Sequence, residues 1–101
     1  MSDESVFLIN LLKVKPGKKD ALIELLKQNT DTVVRTLQGW KMTRLIAAKD
    51  GVGVVIYSEW ESSAAVEAMR SDPRMKAYLP KIIELESLDS IVGSAVSSET
   101  R

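Results

Sequence analysis

The sequence predicts an α+β fold in which helices cover one face of a four-stranded antiparallel sheet. Three observations support this prediction: an apolar run near the amino terminus, a long stretch of helical periodicity after it, and two extended runs joined by Asp50-Gly51. The length of 101 residues suits one small domain. We therefore expect a single domain over residues 1–101, with its core at about residues 6–96 and short flexible termini.

The first half of the chain predicts one strand followed by one long helix. Val6–Val14 is apolar at both alternating sets of positions and ends at Pro16-Gly17, which is typical of a strand covered on both faces. Helical spacing then relates five apolar residues, Leu22, Leu25, Leu26, Val33 and Leu37. Because Gly39 is suited to terminate a helix, we expect this helix to run from Lys18 to Gln38.

The second half predicts a hairpin and a second helix. Trp40–Lys49 and Val52–Trp60 are extended runs on either side of the Asp-Gly pair, which is a strong pattern for a two-residue hairpin turn. Ser62 or Ser63 can then cap a helix that continues through Arg70.

The last part of the chain predicts a restarted helix and a final strand. Asp72-Pro73 is typical of a new cap with proline at the first helical position. Pro80 is expected to break this helix before Lys81–Leu85, and a strand is expected from about Leu88 to Val96. The resulting order, β-α-β-β-α-β, is the ferredoxin-like pattern.

The first strand is apolar on both faces, although helices on one side can cover only one face of the sheet. The two sets of alternating positions are Phe7, Ile9 and Leu11 on one face and Val6, Leu8 and Leu12 on the other. A large exposed apolar face is a liability, and the same face of a second copy is its simplest cover. We therefore expect a homodimer whose two sheets pack together into an α+β barrel.

Composition excludes several classes of function. The 14 basic and 14 acidic side chains give zero formal charge, which argues against nucleic acid as a partner. With no cysteine and no histidine, the chain lacks thiolate nucleophiles and the commonest metal ligand, so we expect no metal. The apolar run near the amino terminus is too short to cross a membrane and follows an acidic start, so we expect a cytoplasmic protein.

Two asparagines interrupt apolar faces and are the first candidates for a site. Asn10 lies within the first strand, and Asn29 lies near the middle of the apolar stripe of the first helix. A buried amide without a partner costs about 1–3 kcal/mol, so each needs a partner or a purpose. Either the two amides are satisfied within the core, or they face one pocket between helix and sheet and bind a ligand.

Four further residues are candidates for the same pocket. Trp60 ends the third strand and can form a flat wall for an aromatic ligand, with its indole N–H as a donor. Tyr78 follows the restarted helix and can direct its hydroxyl at the pocket as a proton donor, and Met69 is an adaptable apolar wall residue. Arg44 can hold a phenolate or carboxylate if it faces inward, as its strand parity with Trp40 allows.

Three stretches carry a resemblance to a known family: Ile9-Asn10, Leu37-Gln38-Gly39-Trp40, and Tyr57-Ser58-Glu59-Trp60-Glu61-Ser62 with Ser71-Asp72 after the next helix. From about Val6 to Val96 the chain resembles an antibiotic biosynthesis monooxygenase domain of the dimeric α+β barrel superfamily. The resemblance implies an oxygenase that needs no flavin, haem or metal. It also implies a small aromatic or enolisable substrate, anthrone- or hydroquinone-like, that is oxidised by dioxygen.

The resemblance also assigns residues. Asn10 and Trp60 match pocket positions of the family, whereas the anthrone oxygenases carry an asparagine where this chain has Ile56. The haem-degrading branch needs a helix-two tryptophan and a histidine, where this chain has Ala68 or Met69, and Tyr78. Besides the oxygenase, the sequence leaves open a non-catalytic dimeric domain that binds a small molecule or is stress-related, and, as lesser alternatives, a haem-degrading monooxygenase or an isomerase.

Overall fold

Three helices lie on one face of a four-stranded antiparallel sheet in the structure, a computed structural model that describes residues 5–83, 86–97 and 100. Its elements in chain order are β1 Val6–Val14, α1 Lys19–Thr32, a short 3-10 turn Val34–Thr36, β2 Trp40–Ala47, β3 Gly53–Trp60, α2 Ser63–Ser71, α3 Pro73–Ile83 and β4 Glu86–Gly93. Among the described residues, no helix is both long and apolar enough to cross a membrane.

The sheet order is β2-β3-β1-β4, with every neighbouring pair antiparallel. This is the ferredoxin-like arrangement, and the predicted fold class is confirmed. β1 lies inside the sheet between β3 and β4, and its inward side chains Leu8, Leu12 and Val14 are buried beneath the helices.

The first helix is shorter than the sequence predicts. α1 ends at Thr32 rather than at Gln38, and a 3-10 turn follows it. The Thr30 and Thr32 hydroxyls donate to the carbonyls four residues earlier, at 3.0 and 2.7 Å, a contact that disfavours a straight helix. The pair of β-branched valines that follows Thr32 weakens helix formation further.

The predicted caps of the second and third helices are confirmed, but the predicted break at Pro80 is wrong. The Ser62 hydroxyl accepts the Ala65 N–H at 3.2 Å, and Pro73 opens α3. Although Pro80 lacks an N–H, α3 continues past it because Ile82, only 9% exposed, is packed into the core.

The last strand starts earlier than predicted. β4 begins at Glu86 rather than Leu88 and ends at Gly93, where the prediction continued to Val96. The end of the predicted segment Lys81–Leu85 lies outside the described residues.

The core lies between the helices and the inner face of the sheet, in two clusters. One cluster joins the sheet to α1 and α3 through Leu12, Val14, Leu22, Leu26, Val54 and Ile82. The other joins it to the 3-10 turn and α2 through Leu8, Val34, Trp60, Val66 and Met69.

The outer face of the sheet carries the apolar residues that the sequence predicts there. The Phe7 and Tyr57 rings meet on this face with centroids 5.6 Å apart. Within a single chain, Leu11 is 45% exposed and Ile91 is 64% exposed. The structure is that of one chain, so the homodimer stays a prediction.

Candidate active site

A cavity of about 330 Å³ lies between the inner face of β1 and β3 and the helices. A smaller space of about 60 Å³ adjoins it toward the Trp60 end of the sheet. The two spaces share seven wall residues, Leu8, Asn10, Leu26, Asn29, Ile56, Met69 and Met75. The larger space is within the size range of small-molecule sites, about 300–1,000 Å³.

Strand register and helix periodicity place these side chains together. Asn10 of β1 lies opposite Ile56 of β3, and Leu8 lies opposite Ser58, so all four project toward the helices. In α1, Asn29 lies one turn after Leu26 and shares its inward face. The apolar stripe that folds the helix onto the sheet therefore carries an amide into the cavity.

Asn10 presents an amide with unused hydrogen-bonding capacity. Its side chain is partly buried and lines both spaces. In the part of the chain that the structure describes, no group forms a hydrogen bond with this amide. As far as the described residues go, both its N–H donors and its carbonyl acceptor are therefore available to a ligand.

Asn29 is buried, with 6% exposure, and its amide is only partly satisfied. Its Nδ2 donates to the Met75 Sδ atom at 3.4 Å. Because a thioether is a weak acceptor and has no hydrogen to donate, this contact orients the NH₂ group and leaves Oδ1 as an acceptor. No described residue donates to Oδ1. The structure thus brings Asn10 and Asn29 to one cavity without bonding them to each other.

Trp60 forms a wall of the smaller space, but its N–H is already used. The ring is 1% exposed, and Nε1 donates to the Ser58 Oγ at 3.0 Å. The Ser58 hydroxyl in turn donates to the Leu8 carbonyl oxygen at 3.2 Å. The expectation that the indole N–H binds a ligand is therefore wrong. Sequence reasoning missed Ser58, although this polar residue shares the inward parity of Trp60.

Met69 and Arg70 are consecutive residues of α2 that reach the cavity differently. Met69 is 7% exposed and lines both spaces, as expected of a wall residue. Arg70 lines the larger space from an exposed position, with Nη1 3.2 Å from Glu67 Oε2. Sequence reasoning missed Arg70, because an arginine in the last turn of a helix gives no sign that a cavity opens beside it.

Tyr78 and Arg44 lie outside the cavity. The Tyr78 hydroxyl is 3.3 Å from the Thr32 hydroxyl at the surface, and Lys81 Nζ lies 5.5 Å from its ring centroid. Arg44 is exposed on the outer face, opposite Tyr57. A β-bulge between Trp40 and Met42 reverses the side-chain alternation, so the predicted common face of Arg44 and Trp40 is wrong.

The cavity is apolar and carries little charge. Arg70 is the one ionisable side chain among its described wall residues. Elsewhere, backbone N–H groups of Gly53 and Val52 lower the pKa of Asp50 in the hairpin turn, away from the cavity. No group of three acidic, histidine or cysteine residues suited to a metal ion occurs among residues 5–83, 86–97 and 100.

A ferredoxin-like sheet whose helices enclose a largely apolar cavity with two amides is typical of domains that bind a small molecule. Comparison with known proteins is more specific. Residues 5–81 match the sequence model of the family described as antibiotic biosynthesis monooxygenase, and the chain belongs to this family. The resemblance inferred from the sequence is confirmed.

One curated relative and several solved structures are similar to this chain. Tetracenomycin-F1 monooxygenase of Streptomyces glaucescens is 34% identical over 71 residues, which are 70% of this chain. The matched region spans 63% of that relative, less than two thirds of its length.

Two solved structures share the fold over nearly their full length. Rv0793 from Mycobacterium tuberculosis has a TM-score of 0.83 at 22% identity, covering 95% of this chain and 99% of that one. SnoaB, a cofactor-independent oxygenase from Streptomyces nogalater, has a TM-score of 0.85 at 14% identity, covering 94% and 96%. At these identities the likeness shows a common fold.

Proposed function

We propose that this chain is a cofactor-independent monooxygenase that oxidises a small anthrone- or hydroquinone-like molecule with dioxygen in the cavity beneath its helices. The observation that carries the proposal is the pair of amides, Asn10 and Asn29. Both face a largely apolar cavity and have hydrogen-bonding capacity that no described residue uses. Membership of the monooxygenase family and the similarity to tetracenomycin-F1 monooxygenase support the same chemistry.

The reaction draws its electrons from the substrate. A phenolic or enolisable ring with a CH₂ carbon loses a proton, and the anion transfers one electron to dioxygen. The carbon radical and superoxide combine, forming a C–O bond, and protonation gives a hydroperoxide. Its O–O bond then breaks with loss of water, leaving a carbonyl, so that CH₂ and O₂ become C=O and H₂O. The protein has to favour the anion, exclude bulk water and hold the reactants together.

The cavity residues suit these tasks. An N–H of Asn10 donates to the oxyanion, and the Asn29 Oδ1 accepts a hydrogen bond from a second substrate hydroxyl. Trp60 and Met69 enclose the ring. Fixed donors aimed at developing charge in a dry site are typically worth about 10²–10³ in rate. Tyr78 has no part in this step, since its hydroxyl is directed away from the cavity.

Ile56 sets this chain apart from the anthrone oxygenases and shapes the proposal. It lies directly opposite Asn10 on the inner face, so that this part of the sheet offers one amide. Asn29 supplies a second amide from the helix layer. The substrate is therefore held between strand and helix.

The proposal includes a homodimer. Phe7, Tyr57 and Ile91 lie on the outer face of the sheet, which the chain's own helices do not cover. A second copy placed on this face would bury it and form the α+β barrel.

Labelled dioxygen tests the proposed reaction. The purified protein is incubated with an anthrone under ¹⁸O₂, without added cofactor, and the product mass is measured. The proposal predicts a product that has gained one labelled oxygen and lost two hydrogens, formed faster than by autoxidation. A product of unchanged mass would indicate an isomerase, and recovery of bound but unaltered substrate would indicate the non-catalytic binding domain.

A further inference from the structure

The sulfur of Met75 lies in the cavity wall and is held there by a buried amide. Its Sδ atom accepts a hydrogen bond from the Asn29 Nδ2 at 3.4 Å. Met75 is partly buried and lines both spaces, whereas Asn29 is 6% exposed. Met69 also lines both spaces, but it is more deeply buried and no described residue donates to its sulfur. Of these two wall methionines, Met75 is therefore the more exposed and the one whose sulfur has a fixed donor.

We propose that Met75 is an oxidation site: a hydroperoxide in the cavity converts its thioether to a sulfoxide, and the sulfoxide weakens the binding of aromatic ligands. The hydroperoxide has two possible sources, which share the O–O–H group. One is hydrogen peroxide from solution, which makes the inference independent of the proposed function. The other is the substrate hydroperoxide of the proposed reaction, and this source rests on the proposed function.

The oxidation transfers one oxygen atom to sulfur. A lone pair of the Met75 sulfur attacks the terminal oxygen of the hydroperoxide, the O–O bond breaks, and the proton of that oxygen passes to the leaving oxygen. Sulfur loses two electrons and the peroxide gains them, so that R₂S and R′OOH become R₂S=O and R′OH. With hydrogen peroxide the second product is water, and with the substrate hydroperoxide it is an alcohol. The polarisable sulfur of methionine is a common target of such oxidants.

The Asn29 amide favours this transfer at Met75. Negative charge develops on the transferred oxygen as the polar S–O bond forms. Because the Asn29 N–H already points at the sulfur, an oxygen bonded to Sδ lies within reach of the same donor. A fixed donor stabilises charge that develops during a reaction. A thioether sulfur has two lone pairs, so one hydrogen bond leaves the other for the attack on the peroxide.

The sulfoxide changes the wall that an aromatic ligand meets. Oxidation converts the apolar side chain of Met75 into a polar one. The larger space is otherwise lined mainly by apolar side chains, among them Leu26, Ile56 and Met69. The ring of a ligand would therefore meet an S–O group in place of a thioether. The Asn29 N–H also gains a stronger acceptor than sulfur. We therefore expect aromatic ligands to bind the oxidised protein more weakly.

Treatment with hydrogen peroxide, without substrate, tests the site separately from turnover. Mass spectrometry of peptides follows the gain of one oxygen atom at each methionine of the purified protein. We expect Met75 to be oxidised at least about tenfold faster than Met69, as for one hydrogen bond that stabilises the transfer. Binding of 2-naphthol, followed by its fluorescence without oxygen, should weaken about tenfold as Met75 is converted. Methionine sulfoxide reductases should restore the binding.

Variants of Asn29 separate the effect of the donor from that of exposure. Asn29→Ala removes the donor and widens access to the sulfur, so exposure alone predicts faster oxidation of Met75. We expect oxidation about tenfold slower instead, because the donor is lost. Asn29→Leu keeps a similar volume and should give the same fall. Asn10→Ala is the matched control: it removes the other cavity amide, which bonds to no described residue, and Met75 should be oxidised at no less than the parental rate.

Variants of the methionines test the effect on binding. In Met75→Leu, the affinity for 2-naphthol should be the same before and after peroxide treatment. In Met69→Leu, peroxide should weaken the affinity as it does in the parent. Each variant is compared with its own untreated sample, so a change in the cavity wall itself does not enter the comparison.

The inference is overturned if Met75 and Met69 are oxidised at equal rates, or if Asn29→Ala does not slow the oxidation of Met75. It is also overturned if the reduced and oxidised proteins bind 2-naphthol equally, or if the protein does not bind 2-naphthol. These outcomes do not depend on turnover. Absence of anthrone oxidation with selective oxidation of Met75 would remove the oxygenase and leave the oxidation site.

Anthrone turnover under ¹⁸O₂ then distinguishes the two sources of the hydroperoxide. Catalase is added to destroy hydrogen peroxide in solution. Labelled oxygen in the Met75 sulfoxide despite catalase would assign the transfer to the substrate hydroperoxide within the cavity. Label that catalase abolishes would assign it to hydrogen peroxide from solution.

Discussion

Asn29 is the side chain at which the folding of this chain and its proposed function meet most directly. A buried leucine at this position would complete the apolar stripe of α1, yet the chain has an amide whose hydrogen-bonding partner is the sulfur of Met75 at 3.4 Å. A sulfur acceptor recovers little of the cost of burying an amide. We therefore regard Asn29 as retained for a ligand rather than for stability.

Replacing Asn29 by leucine should separate these two roles. Leucine has a similar volume and removes a poorly satisfied polar group, so we expect the free energy of unfolding to stay within about 1 kcal/mol of the parent or to rise. Substrate oxidation should fall at least about tenfold with the lost hydrogen bond. Denaturant unfolding and initial rates measure both. A variant that is strongly destabilised but fully active would contradict this role of Asn29.

Asn10→Ala should affect turnover alone. We expect the oxidation rate to fall about 10²–10³-fold, since the variant lacks the donor to the oxyanion. The melting temperature should change little, because no described group depends on this amide. Gln28→Ala removes an exposed amide from α1 and serves as the control, with parental rate expected. Unchanged turnover in Asn10→Ala would remove Asn10 from the mechanism.

Sequence reasoning located part of the cavity, for reasons that differ by residue. Asn10 and Asn29 could be placed because a polar residue on an apolar periodic face has a defined direction. Arg44 could not be placed, because the bulge at Trp40 reverses the alternation of side chains along the strand and the sequence pattern does not show this bulge. Arg70 could not be placed either, because the larger space opens beside it where α2 packs against α3, and the periodicity of one helix does not describe that packing.

At the scale of elements, Gly39 fixes the approach of β2 to α2. Its φ of +89° is costly for residues with a Cβ, and a Cβ built there would lie 2.6 Å from the Ala65 Cβ. Gly39 therefore lies where the 3-10 turn, the bulge and the start of α2 meet, and only glycine fits at this position without strain. The sequence indicated a helix terminator at Gly39, whereas the structure shows that α1 ends earlier and that Gly39 turns the chain into β2.

Gly39→Ala should destabilise the fold by about 1–3 kcal/mol, through both backbone strain and the contact with Ala65. The double variant with Ala65→Gly should recover only the part of the lost unfolding free energy that is due to the contact with the Ala65 side chain. Denaturant unfolding of the single and double variants measures the two contributions. Stability equal to the parent in Gly39→Ala would contradict the close approach of β2 and α2.

Asp72 should make the cap of α3 sensitive to acid. The Arg74 guanidinium, and then its backbone N–H, bind the carboxylate and hold the pKa of Asp72 below its ordinary value of 3.8. The stabilisation is therefore complete above pH 3.8 and is lost as the pH falls below it through the folded-state pKa. Asp72→Asn should flatten the fall of melting temperature in this range. An unchanged pH dependence would show that protonation of Asp72 is not linked to unfolding.

Most of the helices and strands could be predicted, because their periodicity and caps are local properties of the sequence. Strand β1 matches its predicted bounds, and Ser62 and Pro73 begin their helices as expected. The error at Pro80 arose where tertiary packing prevails over local preference. Pro80 stays within α3 because the following turn is held by Ile82 in the core, a contact that no local rule contains.

For the whole molecule, the outer face of the sheet is the main feature that a single chain leaves unexplained. Phe7 and Tyr57 contact each other on this face, and Ile91 is 64% exposed beside them. The apolar surface continues over neighbouring strands, as the pairing of Ile9 with both Tyr57 and Ile91 shows. Continuous apolar patches of this kind are typical of interfaces between subunits.

The mass in solution tests this feature. We expect light scattering at micromolar concentration to give twice the chain mass of 11.2 kDa. Ile91→Lys should halve this mass without unfolding the chain, because the side chain is exposed in the isolated protomer. Val52→Lys places the same charge on an apolar residue that is 47% exposed but lies at the hairpin, away from the sheet face, and should stay dimeric. A monomeric parent would contradict the proposed dimer.

Oxygen uptake by the purified protein tests the central claim most directly. An oxygen electrode follows a panel of hydroquinones, naphthols and anthrones, with no cofactor added. The account predicts uptake above autoxidation by the parent and by Gln28→Ala, and loss of most of it in Asn10→Ala and Asn29→Leu. Two results would contradict it. One is uptake by the parent at the autoxidation rate with substrates that bind in the cavity, and the other is uptake that neither asparagine variant changes.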